Sequence, residues 1–498
     1  MRTMKRVAAV ALSVVVLMTS GVSAKAAVTD VQPAKSSSEA VLKWAKKVGE
    51  PFDEKTYANN TVSKIKLVGN YLYVADDAKH RIMKIDKKDG TILKEQKYCD
   101  ESYIQGYVSS IGYGDGKVYV GYDNGRVQAF DENTLESLWI TDENKNAINS
   151  DFVFTNGKLY FGTTAKTTDW YDNGAPFSYY VVTTSDDDKT KPDEEKTMKK
   201  VVESKTGKFY LKKGVVLGKY IVISDTAGTL TMIDTTNDKV TDTKDIGEAF
   251  SGNITYDEMT GTIYFVAGTN DLYGIKVSAD GKLKDEKKVR LYETGYSSTT
   301  PEVYNGKVYV SGSKGKAFQD KGYMAVADVS SGKYKVNYTV ELSNYSQCEP
   351  TIVKTGENSV RVYFTINDEP GGIYAIEDSK DATSATLETV YEPTGDIKNT
   401  GCMSDVVVDE DGTIYFANDS KYIMSVGKKV EDTKKSDVIT VKPVTKTVKS
   451  TRSVKLTWKK KKSAKGYVIY AKAGKGKYKK VTAVGKKTSK PIKGNRDS

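Results

Sequence analysis

The chain has 498 residues, 38% hydrophobic and 28% charged, with 34 tyrosines, three cysteines and one histidine. That length exceeds one small core and suits one large repeat domain plus a module. A single histidine excludes a multi-histidine metal site and leaves almost no room for a His-based hydrolytic triad. Three cysteines do not make a disulfide framework.

The first residues read as a targeting segment. Arg2, Lys5 and Arg6 precede an apolar run, Val7 to Met18, and Ala24-Lys25-Ala26 supplies a small-x-small cleavage pattern. The run has 12 residues, short for a membrane span. Residues 1–26 are therefore expected to be a removed signal peptide, and the mature chain an exported protein without a transmembrane segment. No cysteine follows the apolar run, which argues against a lipid anchor.

A strand-like segment around residues 41–48, with Trp44, comes next. A repeat then begins. Short runs such as GNYLYVAD, GKVYVGYDNG, GKLYFGT and GTIYFAND recur, holding Tyr73, Tyr119, Tyr160, Tyr220, Tyr264, Tyr309, Tyr363 and Tyr415. These tyrosines are separated by 46, 41, 60, 44, 45, 54 and 52 residues, so eight units follow one another. Each unit has a short strand, a turn with Gly, Asn or Asp, the tyrosine strand, a second turn, a third strand and a variable fourth. Asn-Gly and Asp-Gly between strands signal hairpins, because such turns require positive φ. Four antiparallel strands, eight times, predict an all-β, eight-bladed β-propeller over residues 27–430. The tyrosine strands are apolar on both faces, as a sheet packed between two neighbours demands. The eighth unit stops after its third strand, so the segment around 41–48 is expected to supply the fourth and close the ring.

Along the chain, Ala129, Asp131, Thr134 and Trp139 form the pattern Ala-x-Asp-x-x-Thr-x-x-x-x-Trp. The acidic insertion Thr184 to Lys196 reads as a solvated hairpin extension. Cys348 and Cys402 precede their tyrosines by 15 and 13 residues, near-equivalent positions from which a disulfide is possible within the Cα limit of ~7 Å. Asp409-Glu410-Asp411-Gly412 reads as a turn, since a strand follows at once where a calcium loop needs further oxygen ligands. Loops from second to third strand, and from fourth strand to the next blade, share one face. Tyr98, Tyr103, Tyr107, Trp170, Tyr171, Tyr296, Tyr345 and Tyr391 fall in those loops, with His80 and the cysteines. Aromatic side chains with polar handles suit sugars and protein partners. They equally suit capping of blade edges.

After a linker at 431–436, residues 437–498 form a second, lysine-rich module. Residues 431–498 hold 22 Lys and Arg against four acids, a charge of +18, while residues 27–430 net −11. That split opposes one uniform nucleic-acid surface and points the tail toward an anionic cell-wall polymer. Val454, Leu456 and Trp458, then Tyr467, Ile469 and Tyr470, mark two strands.

The unit resembles the pyrroloquinoline-quinone (PQQ) type repeat of quinoprotein-like propellers. The family's docking motif, Ala-x-Asp-x-x-Thr-Gly-x-x-x-Trp, matches Ala129 to Trp139 except at Leu135. The resemblance spans about 390 residues and implies the fold. Many members bind no quinone, including the outer-membrane assembly lipoprotein of eight blades. The tail resembles the first half of a fibronectin type III module, a partial β-sandwich.

The family's dehydrogenases carry adjacent cysteines, a calcium or lanthanide ion on carboxylate and amide ligands, and an Asp base. This chain has no adjacent cysteines. The expectation is a monomeric, non-catalytic binding or scaffold protein, secreted or wall-associated, with no cofactor or metal. It would engage a protein or glycan through Tyr103, Tyr107, Trp170, Tyr171, Tyr296 and Tyr345. A PQQ/calcium-dependent dehydrogenase or a glycan-active enzyme is the alternative.

Overall fold

The computed structural model describes residues 32–48, 63–76, 79–98, 111–166, 175–185, 195–315, 321–429, 444–446, 453–458, 467–471, 479–486 and 489–493. Two compact units divide the chain, one ending at Lys429 and one beginning at Val430.

The first unit is an eight-bladed β-propeller. Eight sheets follow in chain order, each built on four antiparallel strands; these are consecutive except in blade 3, whose fourth strand follows an intervening strand of blade 2, and in the last. Their first strands are Lys66–Val68, Gly112–Gly114, Val153–Thr155, Val215–Leu217, Phe250–Asp257, Glu302–Tyr304, Thr351–Lys354 and Val407–Val408, which begin blades 1 to 8. Blade 8 takes its fourth strand from the other end of the chain: Ala40–Lys47 pairs with Tyr422–Lys428. Trp44 then reaches blade 1, where its indole N–H donates to the Lys87 carbonyl at 3.0 Å. Gly90, at φ 74°, makes room for it; a Cβ there would stand 2.7 Å from the ring.

The cores lie between blades, which explains the tyrosine. In seven blades a tyrosine pairs with the anchor residue of the first strand, as Tyr73 does with Lys66 and Tyr415 with Val407. Blade 4 differs: the paired residue is Val222, and Tyr220 stands two places earlier. The sequence alignment therefore slips by two residues in that blade. Elsewhere the ring fills the interblade layer and the hydroxyl reaches the next blade. Tyr73 donates to the Glu132 carbonyl at 2.6 Å, Tyr160 to Asp238 at 2.7 Å and Tyr309 to Asp378 at 2.8 Å.

The docking motif is interblade packing too. Trp139 is buried with Tyr119 and Ala129 of its own blade and Leu159, Phe161 and Val182 of the next. Asp131 accepts the amides of Asn133 and Thr134 at 2.7 and 2.8 Å and so folds the turn. Leu135 sits at φ 58°, a left-handed conformation that favours glycine. Its side chain is fully buried against Tyr73, Ile111 and Val118.

The insertion after blade 3's third strand does more than extend a hairpin. Glu195–Lys196 runs parallel to Ser137–Thr141 and adds a fifth strand to blade 2. Asp409-Glu410-Asp411-Gly412 is a turn: Gly412 is at φ 76° and its amide donates to the Asp409 carbonyl at 3.1 Å.

In the second unit, Val444–Lys446, Ser453–Thr457 and Ser489–Lys493 form one sheet and Tyr467–Ala471 with Lys479–Val484 another. The Trp458 and Tyr467 rings meet edge-on at 5.3 Å. No helix among the described residues is long and apolar enough to cross a membrane.

Candidate functional site: the central channel

Side chains alternate along a strand, so the anchor residue of each first strand and the residue two before it face the same way. In the order of blades 1 and 3 to 8, the positions two before the anchors hold Lys64, Asp151, Lys213, Asn253, Thr300, Glu349 and Asp405. Lys213 of blade 4 and Glu349 of blade 7 pair at 3.0 Å. These sheets are three places apart in a ring of eight, so the two side chains can meet only in the channel on the ring's axis. Lys64 pairs with Asp405 at 2.9 Å, and the Glu349 amide donates to Asp405 at 2.8 Å. The Lys213 amide donates to Asn253 at 3.0 Å. A polar belt thus runs from blade 1 through blades 8 and 7, and across the axis to blades 4 and 5.

A recurring clip holds this belt. Ser63, Ser150 and Ser404 each precede a belt residue. Their hydroxyls accept the amides of Ala75, Gly162 and Ala417, at 2.9, 2.7 and 3.2 Å. The same hydroxyls donate to the carbonyls of Lys64, Asp151 and Asp405 at 3.0, 3.1 and 2.9 Å. Cys348 takes this place in blade 7, its sulfur accepting the Thr365 amide at 3.1 Å. In blade 4 the place falls to Lys212, whose ammonium donates to the carbonyls of Phe250 and Gly252 at 3.1 and 2.7 Å.

This register corrects the reading of the cysteines. Cys348 stands three residues before its anchor and Cys402 five before its own, because blade 7 has the longer first hairpin. They are not equivalent. Both are buried free thiols rather than a disulfide. The Cys402 sulfur is 3.5 Å from the Ala417 carbonyl, in its own blade. Burial pushes both thiols up, so they stay protonated and unreactive.

The belt's electrostatics are mutual. Burial alone would raise Glu349, but Lys213 and Lys64 outweigh it and hold the carboxyl down at about 2. Burial, then the Glu349 charge, pushes Glu302 well above the carboxylate range. The two carboxyls are hydrogen-bonded to each other. Burial would lower Lys213, yet Glu349 and Asp151 raise it overall. The belt is wet: the side chains of Lys64, Asp405 and Lys213 are 28%, 23% and 25% exposed.

The aromatic loop residues fall into two sets. Tyr103, Tyr107, Trp170 and Tyr171 lie outside the described residues. Tyr296 is half-buried and its backbone pairs with Ser313. Tyr345 is half-buried, its carbonyl accepting the Asn367 amide at 3.0 Å and its hydroxyl the Asn367 side chain. Tyr98 is buried against Tyr122, ring centroids 4.8 Å apart. Sequence reasoning missed the belt, although serine before a charged residue, three residues ahead of the anchors of blades 1, 3 and 8, was its signal.

Two solved structures have this shape. The crystal structure of BamB from Moraxella catarrhalis matches with TM-score 0.53 and 12% identity, covering 78% of this chain and 99% of that one. The quinohemoprotein alcohol dehydrogenase ADHIIG from Pseudomonas putida HK5 matches with TM-score 0.54 and 12% identity, covering 80% and 78%. The shared fold is an eight-bladed β-propeller. Identities this low carry the fold alone. A scan against protein-family models gives no match, and neither does a search of curated proteins.

The quinoprotein-like fold raises the question of PQQ with calcium. A calcium ion needs six to eight oxygen ligands, several of them carboxylate. Here Glu349 and Asp405 each answer a lysine, Lys213 and Lys64. No group of three or more His, Cys, Asp or Glu among the described residues could hold a metal. The residues present do not fit that cofactor.

Proposed function

We propose that this chain is a non-catalytic binding or scaffold protein, exported and held at the bacterial surface, whose propeller engages a protein or glycan through its loop-bearing face. One observation carries the reading: four of the charged side chains that converge on the axis pair with one another, in Lys213–Glu349 and Lys64–Asp405. An enzyme needs such groups poised for substrate. The long insertions, where the blades differ, are left to supply recognition. The 22 basic residues of the tail suit an anionic wall polymer, and its two small sheets suit a fibronectin type III-like module.

The test is a pull-down of surface proteins and a glycan array with the full secreted chain. A saturable ligand lost on replacing the loops at 167–174 and 316–320 supports the reading. Dye-linked alcohol or sugar oxidation on adding PQQ and calcium would overturn it. Retention on isolated walls should fall as salt rises, since exposed charges are screened over about 10 Å at 0.1 M.

A further inference from the structure

The edge of a β-sheet presents unpaired N–H and C=O groups, and proteins blunt such edges with charge, proline or a covering segment. The propeller's rim obeys that rule. Each outer strand except that of blade 2 carries charged residues, as Ile92–Lys97 and Leu283–Arg290 do. The fourth strand of blade 2, Ser137–Thr141, carries none, and there the chain covers the edge itself. Glu195–Lys196 pairs along it, and the Glu195 carboxylate answers Arg126 at 2.9 Å.

The two sheets of the second unit have four edges, and three are blunted. Val444–Lys446 is three residues long and ends on lysine. Ser489–Lys493 holds Lys490, Pro491 and Lys493, and Lys479–Val484 begins with two lysines. Tyr467–Ala471, reading YVIYA, has neither charge nor proline. It pairs with Lys479–Val484 on one side, and no strand among the described residues pairs with its other edge. Val468 on this strand is 50% exposed. The sequence on either side is basic: Lys459 to Lys462 precede the strand, Lys472, Lys475 and Lys477 follow it, and no acid lies between Asp437 and Asp497.

We propose that the free edge of Tyr467–Ala471 takes an extended segment of a second protein, added as a strand and flanked by Asp and Glu. Backbone hydrogen bonds to the edge supply affinity, and the flanking acids answer the lysines. Blade 2 shows the same combination within the chain, ladder pairing together with a carboxylate on a basic side chain. An anionic wall polymer would engage the lysines alone and leave the edge amides free. The site is separate from the propeller's loop face, and its failure would leave that reading untouched.

The probe is a synthetic peptide of alternating valine and threonine with acidic ends, titrated into the full chain. Its controls are the same peptide with its central amides N-methylated, and polyglutamate. Calorimetry and backbone hydrogen exchange over residues 467–471 are the readouts. One-to-one binding that slows exchange in 467–471, and is at least tenfold weaker for the N-methylated peptide, supports the site. Val468→Glu should weaken it as much by like charge, while Val240→Glu, at a position 44% exposed on blade 4, should leave it unchanged. Equal binding by the N-methylated peptide, or equal protection by polyglutamate, reduces the contact to charge and overturns the proposal. So does a peptide that leaves exchange in 467–471 unaltered. Exchange there that slows as the chain alone is concentrated assigns the edge to a second copy and overturns it too.

Discussion

Single residues in this propeller break local rules where packing between blades compensates. Leu135 occupies a left-handed conformation that costs a non-glycine residue about 1–2 kcal/mol, yet its side chain is fully buried between blades 1 and 2. Leu135→Ala should cost about 2–5 kcal/mol, because it loses the burial and keeps the strain. Leu135→Gly loses the same burial but relieves the strain, so it should be the milder change. That inverts the usual order, and urea melts of the two variants check it; an alanine variant more stable than the glycine one would refute it. Asp378 is a second such residue. It accepts Lys307 at 3.0 Å and the hydroxyls of Tyr309 and Tyr338 in a buried site. Asp378→Ala leaves a buried ammonium unpaired and should cost about 3–5 kcal/mol. The channel pair gives a pH signature. The Glu349 folded value of about 2 lies below its unfolded value, so its stabilisation is present above pH about 4.5 and lost as pH falls toward 2. Glu302 is raised, so its contribution is complete below about 4.5 and lost as pH rises through its folded value. Glu302→Gln imitates the protonated acid and should melt higher than wild type on the alkaline side, with no gain at pH 4. Matching melting curves across pH would show that Glu302 is ionised in the native state.

At the scale of elements, the first strands of blades 1, 3 and 8 are fixed by a serine clip whose chemistry is small and repeated. Ser150 is the clearest case, since its hydroxyl both accepts the Gly162 amide and donates to the Asp151 carbonyl. Ser150→Ala strands a buried backbone N–H and should cost about 1–3 kcal/mol, whereas Ser150→Thr retains the hydroxyl. A loss the same for both would mean that shape, not the hydrogen bond, matters there. These clips also explain how far the sequence could be read. The tyrosine strand was legible because a large apolar run between turn residues has one reading in a repeat. Ring closure was legible because blade 8 lacked a strand and Trp44 resembled Trp139. Blade 4 was misread because GKYIVIS places a tyrosine beside the true position, and only pairing with Val215 reveals Val222 as the equivalent. Cys348 and Cys402 looked equivalent when counted back from the tyrosines, since hairpin length is invisible until the strands are paired. The belt was illegible for a different reason. Lys213 and Glu349 are 136 residues apart, and their meeting depends on the ring's closure rather than on local pattern.

At the scale of the whole molecule, the ring is held where its two ends overlap. Six bulk interblade cores arise from neighbours in sequence, but the junction of blades 7, 8 and 1 depends on a strand from residues 40–47. Three kinds of contact meet there. The strand pairs with Tyr422–Lys428 over its length, with an irregularity between Leu42 and Trp44. Trp44 hands the contact on to blade 1 through Lys87 and Gly90. Behind it, the chain at Ala34 and Lys35 accepts hydrogen bonds from Tyr363 and Arg361 of blade 7, at 3.2 and 2.7 Å. Removing residues 27–50 therefore exposes a strand edge on blade 8 and opens the interface to blade 1 in one step. The belt should feel it as well, because Lys64–Asp405 joins the same two blades across that junction. The truncated chain should melt well below the full one, by more than the 0.5–3 kcal/mol typical of a single substitution. A synthetic peptide of residues 32–48 should restore the melting temperature, and more so as its concentration rises, because it binds only the folded ring. Trp44→Ala in that peptide should weaken the rescue. If the truncated chain melts like the full one, or the peptide acts equally with and without Trp44, closure does not rest on this strand and its tryptophan.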